Sequence, residues 1–236
     1  MNKIENSWVT NAAKRQDMLK YQNWFDTCGS LDECVKNGYI DFAHRIFTQD
    51  FYNIIGDPRN KTCLEIGCGG GRLLNAACKF FKLGYGVDIL EQKSFNKTAE
   101  FIKQGGSKNF SLRHKNNIKE IPDSSIDFVY SFIVFQHFAS WVEAERYLDF
   151  IKRVLKPGGA GILYFGLNKT SDQDILVIQD KNFSDRECSL YVSRKLIDEE
   201  ISKRFLLLEM NRGTKQLWSP RESGQFFVKF KARDRS

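Results

Sequence analysis

Leu64-Glu65-Ile66-Gly67-Cys68-Gly69-Gly70-Gly71-Arg72-Leu73 decides the fold. A short apolar run, Thr62 to Ile66, ends in a glycine cluster, and a helical pattern starts at Arg72. An apolar run this short, closed by glycine, reads as a buried parallel strand. Glycine lets the backbone take positive φ and lets a ligand approach with no Cβ in the way. The helix beyond offers N–H groups that have no intrahelical partner. A nucleotide-type ligand fits outside the carboxyl end of such a strand.

The spacing narrows the choice of nucleotide. A dinucleotide fingerprint begun at Gly67 needs glycine at position 72, where Arg72 stands. No P-loop pattern occurs anywhere in the chain. The turn is instead E-x-G-x-G-x-G, from Glu65 through Gly67, Gly69 and Gly71. A carboxylate just before the turn is a poor neighbour for pyrophosphate and a good one for a ligand bearing an ammonium group. Asp88 closes the next strand, roughly twenty residues on, where an acid can accept hydrogen bonds from both ribose hydroxyls.

Outward from this turn the chain alternates. Helical spacing covers Arg72 to Phe81, Lys93 to Gln104, Trp141 to Leu155 and Ser193 to Lys203, with Ser193 as an N-cap. Strand-like runs cover Gly84 to Ile89, Phe110 to His114, Ile126 to Val134 and Gly161 to Phe165. Pro157-Gly158-Gly159 stops the helix before the last of these. Asp127 is expected to tighten a turn with Ser124 and Ser125. The end, Phe205 to Glu209 and Phe226 to Phe230, reads as an antiparallel hairpin. This predicts an α/β fold: a doubly wound, mostly parallel seven-stranded sheet with a C-terminal antiparallel hairpin. Residues 1–60 differ, with helical spacing from Trp8 to Trp24 and from Leu31 to Ile55, then a turn at Asp57-Pro58-Arg59-Asn60. They read as a helical extension or lid on a main domain spanning 61–236. The polar segment from Asn168 to Val192 reads as a long loop beside the site.

Composition sets bounds. The 236 residues are 42% hydrophobic and 28% charged, and 20 Phe supply core bulk. The net charge of +7 admits an anionic partner, but the Lys residues are scattered, so nucleic acid is the less favoured partner. None of the six Cys falls in a C-x-x-C pair, and no His stands at ligand spacing from a Cys, so no metal site is expected. The thiols read as free in a reducing, cytoplasmic setting. Ile126 to Phe135 is too short to span a bilayer and carries Asp127.

From Cys63 to Phe165 the chain resembles the class I S-adenosylmethionine-dependent methyltransferases, near the group whose first motif is L-E-I-G-C-G-x-G. Asn117-Ile118-Lys119-Glu120-Ile121-Pro122-Asp123-Ser124-Ser125-Ile126-Asp127 is similar to that family's D-A-x-x-L-P-x-x-D-x-S-F-D run. Ile133-Val134-Phe135-Gln136-His137 resembles the segment after its fourth strand, and Leu155-Lys156-Pro157-Gly158-Gly159 the turn before its fifth. The resemblance implies S-adenosyl-L-methionine as cofactor, with Gly67, Cys68 and Gly69 on its methionine side and Glu65 orienting that side. Asp88 would hold the ribose and Ile89 would pack on the adenine. Asn117 stands where the family usually has Asp, and its carbonyl can still accept from the adenine amine. Ile118 would be an apolar neighbour, and Phe132 or Ile133 would close the pocket.

The acceptor is harder to read. The N/D-P-P-Y motif of many nitrogen methyltransferases is absent after the fourth strand, and no Pro precedes a Cys. His137 is the best general base, since its ordinary pKa suits that work. The expected reaction is methyl transfer to a small-molecule acceptor, through oxygen or nitrogen. The alternatives are an RNA or protein acceptor and a catalytically silent binding subunit. Trp8, Lys14, Arg15, Tyr21 and Trp24 are candidate lid residues.

Overall fold

The computed structural model describes residues 6, 9, 10, 30–169, 173–177, 190–212 and 224–234. The lid candidates Trp8, Lys14, Arg15, Tyr21 and Trp24 lie outside the described residues. In chain order the strands are β1 (Thr62–Ile66), β2 (Leu83–Asp88), β3 (Phe110–His114), β4 (Ile126–Ser131), β5 (Leu155–Leu167), β6 (Ile175–Val177), β7 (Leu190–Val192), β8 (Leu206–Arg212) and β9 (Gln225–Lys231). The α-helices are α1 (Leu31–Asp41), α2 (Gln49–Ile55), α3 (Arg72–Phe80), α4 (Gln92–Gln104), α5 (Trp141–Val154) and α6 (Arg194–Arg204).

The strands form one sheet. β3, β2, β1, β4 and β5 lie side by side and parallel, β9 pairs antiparallel with β5, and β8 antiparallel with β9. These are the seven strands the sequence predicts. β6 and β7 are additional: they pair antiparallel with each other, and β7 runs parallel to Gly166 and Leu167 at the end of β5. The segment expected to be all loop therefore carries two short strands, making nine among the described residues.

Period-two alternation on the central strands feeds two cores. On one face Phe128, Tyr130, Ile162 and Tyr164 meet Phe42, Phe51, Leu73 and Ala77 from the N-terminal helices and α3. On the other, Val129, Leu163, Phe165 and Val228 meet Leu148 and Ile151 of α5 and Ile197 and Ile201 of α6. Helices on both faces are what a parallel sheet requires. α5 starts where Ser140 accepts from the Glu143 N–H, and α6 where Ser193 accepts from the Leu196 N–H. α1 and α2 are joined by a π-helical turn, Phe42–Ile46.

Two expectations are corrected. β5 begins at Leu155, so Pro157-Gly158-Gly159 lies inside the strand, where pairing with β4 slips between Ile126 and Phe128. A bulge accommodates a proline and a glycine at φ 74° that regular pairing would reject. Asp127 does not tighten the Ser124–Ser125 turn. Its Oδ2 accepts from the Thr62 N–H at 2.9 Å and from Lys156 Nζ at 2.7 Å, tying together the amino ends of β1 and β5. The turn is held by other bonds: the Ser124 and Ser125 N–H groups donate to the Arg153 and Val154 carbonyls. No helix among the described residues is long and apolar enough to cross a membrane.

Candidate functional site

Parallel strands bring several of the sequence-predicted residues to one edge of the sheet, the carboxyl ends of β1, β2 and β4 and the turn after β3. The turn after β1 is tight. The Gly67 and Cys68 N–H groups both donate to the Val87 carbonyl, at 2.7 and 3.2 Å, and the Gly71 N–H donates to the Cys68 carbonyl at 2.8 Å. Gly67, Gly69 and Gly71 take φ of 75°, 47° and 84°, which side-chain-bearing residues resist. At Gly67 there is a second reason for glycine: a Cβ there would overlap the Val134 side chain. The missing Cβ admits the loop after β4, an approach the motif did not reveal. Cys68 is buried, and burial holds its thiol well above the ordinary range, so it stays protonated.

Asp88 braces this turn. Its Oδ2 accepts from the Gly69 N–H at 2.7 Å and its Oδ1 from the Ile89 N–H at 2.7 Å. Desolvation pushes its pKa up to about 6 despite these bonds. Glu65 is 3% exposed. It pairs in register with Tyr130 of β4, whose hydroxyl donates to Glu65 Oε2 at 3.1 Å. Beside them Ser131 Oγ donates to the Ile66 carbonyl at 2.9 Å.

Asn117 is exposed and Ile118 half-buried on a 3-10 turn, Lys115–Glu120, directly after β3. His114 caps that turn, its Nδ1 accepting from the Asn116 N–H at 3.2 Å. Arg153 of α5 anchors it, donating to the Ile118 and Ile121 carbonyls at 2.9 and 2.8 Å. A cavity of ≈ 210 Å³ lies beside Ile89, lined by Val9, Ile89, Leu90, Glu91, Gln92, Phe95 and His114. Ile89 alone among the sequence-predicted cofactor residues lines it.

The loop after β4 carries the rest. Phe132 is half-buried, with its ring 5.0 Å from that of Tyr164 and the Arg45 guanidinium 5.8 Å over it. Ile133 sits at φ 60°, a strained position for a β-branched residue. Val134 packs on Gly67 and accepts the His137 N–H at 2.8 Å. His137 is half-buried, and its Nε2 lies 3.2 Å from Gln136 Nε2. Gln136 is buried, and its Oε1 accepts from Gln225 of β9.

Sequence reasoning missed a buried charge cluster beneath this loop. Asp41 is fully buried between Arg45, at 3.2 Å, and Arg72, at 2.6 Å. It fastens α1 to the first residue of the helix that follows the glycine turn. Tyr164 completes the tie, its hydroxyl donating to the Arg45 carbonyl at 3.0 Å. The i, i+4 spacing of Asp41 and Arg45 was visible in sequence; the role of Arg72 was not.

Residues 64–163 match the family model of a methyltransferase domain. The fold is that of solved S-adenosylmethionine-dependent methyltransferases. No curated protein matches the chain. Among solved structures, the chain is similar to an S-adenosylmethionine-dependent methyltransferase from Methanosarcina mazei, at 18% identity and TM-score 0.60, covering 80% of this chain and 99% of that one. It is similar to the N-methyltransferase NodS from Bradyrhizobium japonicum WM9 in complex with S-adenosyl-L-homocysteine, at 11% identity and TM-score 0.59, covering 98% and 99%. An S-adenosylmethionine-dependent methyltransferase from Aquifex aeolicus matches at 16% identity and TM-score 0.55, covering 87% and 100%.

Proposed function

We propose that this chain is an S-adenosylmethionine-dependent methyltransferase, that it acts on a small-molecule acceptor and that His137 takes the acceptor's proton. One observation carries the reading. Val134 packs on Gly67 and accepts the His137 N–H, so the candidate base and the cofactor turn are two sides of one contact. A base on the loop that packs against this turn would suit removal of a proton from an oxygen or nitrogen acceptor.

The residues at the carboxyl edge fit an amino-acid-bearing nucleoside. Positive φ at Gly67, Gly69 and Gly71 shapes a backbone turn where the methionine side would lie. Glu65, buried and held by Tyr130, is the carboxylate that would orient the amine. Asp88, poised by two backbone N–H groups, would accept from the ribose, and Ile89 would pack on the adenine. Asn117 and Ile118, on the turn after β3, would complete the adenine end, and Phe132 the wall near the transferred methyl. When bound, the cofactor supplies the electrophilic methyl on its sulfonium. The chain's own work is positioning, exclusion of water and proton removal.

The paired strands β6 and β7 favour a small acceptor. β7 lies along Gly166 and Leu167, past Leu163, where the pairing of β5 with β4 ends, and so adds backbone beside the carboxyl edge. The net charge of +7 favours the second reading, an RNA acceptor. Labelled S-adenosylmethionine incubated with fractionated cell extract separates the two. Label in the low-molecular-weight pool supports the proposal; label confined to RNA or protein overturns it. His137→Ala tests the base: turnover should fall while S-adenosylhomocysteine affinity holds, and unchanged turnover removes His137 from the chemistry.

A further inference from the structure

Three polar side chains form a line across the carboxyl end of β5. Gln225, on β9, pairs in register with Gly166 of β5. Its amide Nε2 donates to Gln136 Oε1, and the Gln136 Nε2 faces His137 Nε2 at 3.2 Å. Gln136 is only 4% exposed, and its Cβ packs where Gly166 lacks one, so the amide is held against the ring. Each amide has one donor end and one acceptor end. The direction of one hydrogen bond in the line therefore fixes the direction of the next.

We propose that Gln136 and Gln225 are positioning residues that set the tautomer and charge of His137. This rests on the reading of His137 as the base. In the orientation observed, Gln136 presents its NH2 group to the ring. The ring nitrogen it meets must then carry a lone pair, which makes His137 neutral with its proton on Nδ1. A proton on Nε2 would set N–H against N–H, so the line opposes the imidazolium. Reversing both amides turns Gln136 Oε1 to the ring, where it accepts from Nε2–H and favours the imidazolium. The line thus has two polarities, one matched to the neutral base and one to the base after proton uptake. The charge on His137 and the direction of the Gln225–Gln136 bond change together.

The test fixes the polarity from the remote end. Gln225→Glu places an acceptor-only group beside Gln136, which must turn its NH2 to Glu and its oxygen to His137. The expected result, read from 15N chemical shifts of the imidazole in the full chain, is a tautomer ratio reversed by about tenfold or more toward Nε2–H. The pKa of His137 should rise, and the acid limb of the pH–rate profile should move up with it. A bare negative charge would raise the pKa without reversing the tautomer, so the tautomer is the deciding readout. Gln225→Met, uncharged and of similar length, should leave a mixture of both tautomers and confirms that the direction is imposed. The same tautomer in wild type and both variants overturns the proposal. A reversed tautomer with an unmoved pH–rate profile supports the line and removes His137 as the base, so the two readings fail separately.

Discussion

Asp88 and Gly69 face each other across the glycine turn, the carboxylate Oδ2 accepting the Gly69 N–H at 2.7 Å. The acid that ends β2 thus shapes the loop that ends β1, before any sugar reaches it. Asp88→Ala removes this brace along with the proposed ribose contact. S-adenosylhomocysteine should bind more weakly by roughly 1.5–3 kcal/mol. Calorimetry showing equal affinity would remove Asp88 from the site.

The same carboxyl gives the binding a pH dependence. Its pKa is pushed up to about 6 in the folded chain, from an ordinary 3.8. On the proposed reading ribose hydroxyls donate to the ionised form, so affinity should be level above about pH 7. It should be about tenfold weaker at pH 5, where the carboxyl is mostly protonated. Binding near pH 6 should release protons, visible as a buffer-dependent heat. Stability of the free chain runs the other way. The folded state holds this proton more tightly than the unfolded one, so the Asp88 contribution is full below about pH 4 and lost as pH rises through about 6. In the Asp88→Asn variant both pH dependences should flatten.

The turn, the succession of the five parallel strands along the chain and the terminal hairpin were legible because their signals are local: glycines after apolar runs, helices between them, caps such as Ser193. β6 and β7 were not, because strands of three residues show too little periodicity, and their pairing depends on the distant Gly166 and Leu167. At the site the types of Glu65, Gly67 and Asp88 announced a ligand. Their partners are set by register and packing: Tyr130 reaches Glu65 because β1 and β4 align there, and Val134 reaches Gly67 through a loop of strained backbone. Asp41, Arg45 and Arg72 became a unit only when α1 packed on α3.

Tyr130→Phe tests the Glu65 contact. It deletes the hydroxyl that donates to Glu65 Oε2 and leaves a buried carboxylate one donor short. The expected loss is about 1–3 kcal/mol in urea unfolding. Restoring the match with Glu65→Gln in the same chain should recover part of the stability but not the cofactor affinity, since the amine would still lose its charged partner. Recovery of both would mean that Glu65 is structural only.

Asp41→Ala should be among the most destabilising single changes outside the apolar core. It leaves two buried guanidinium groups without their shared carboxylate, a cost of about 3–5 kcal/mol. Hydrogen exchange should show α1 opening ahead of the sheet, since Arg72 to the Asn37 carbonyl at 3.2 Å and Tyr164 to the Arg45 carbonyl at 3.0 Å are hydrogen bonds to neutral acceptors that do not replace the lost carboxylate. Uniform loss of protection across the sheet and α1 would refute this ordering.

Gly67→Ala with Val134→Ala forms a cycle that measures the contact between the cofactor turn and the loop carrying His137. Gly67→Ala alone sets a methyl into the Val134 side chain at a φ of 75°, and should cost about 1–3 kcal/mol from overpacking besides the backbone strain. Val134→Ala alone opens space and should cost about 2 kcal/mol or less. Together they should cost less than the sum, because the new methyl occupies the volume that valine vacates, with a coupling of roughly 1 kcal/mol or more. The strain at φ 75° is untouched by the second change, so full recovery is not expected. Costs that simply add would show that the two groups do not press on each other, and the link from turn to base would lose its physical basis.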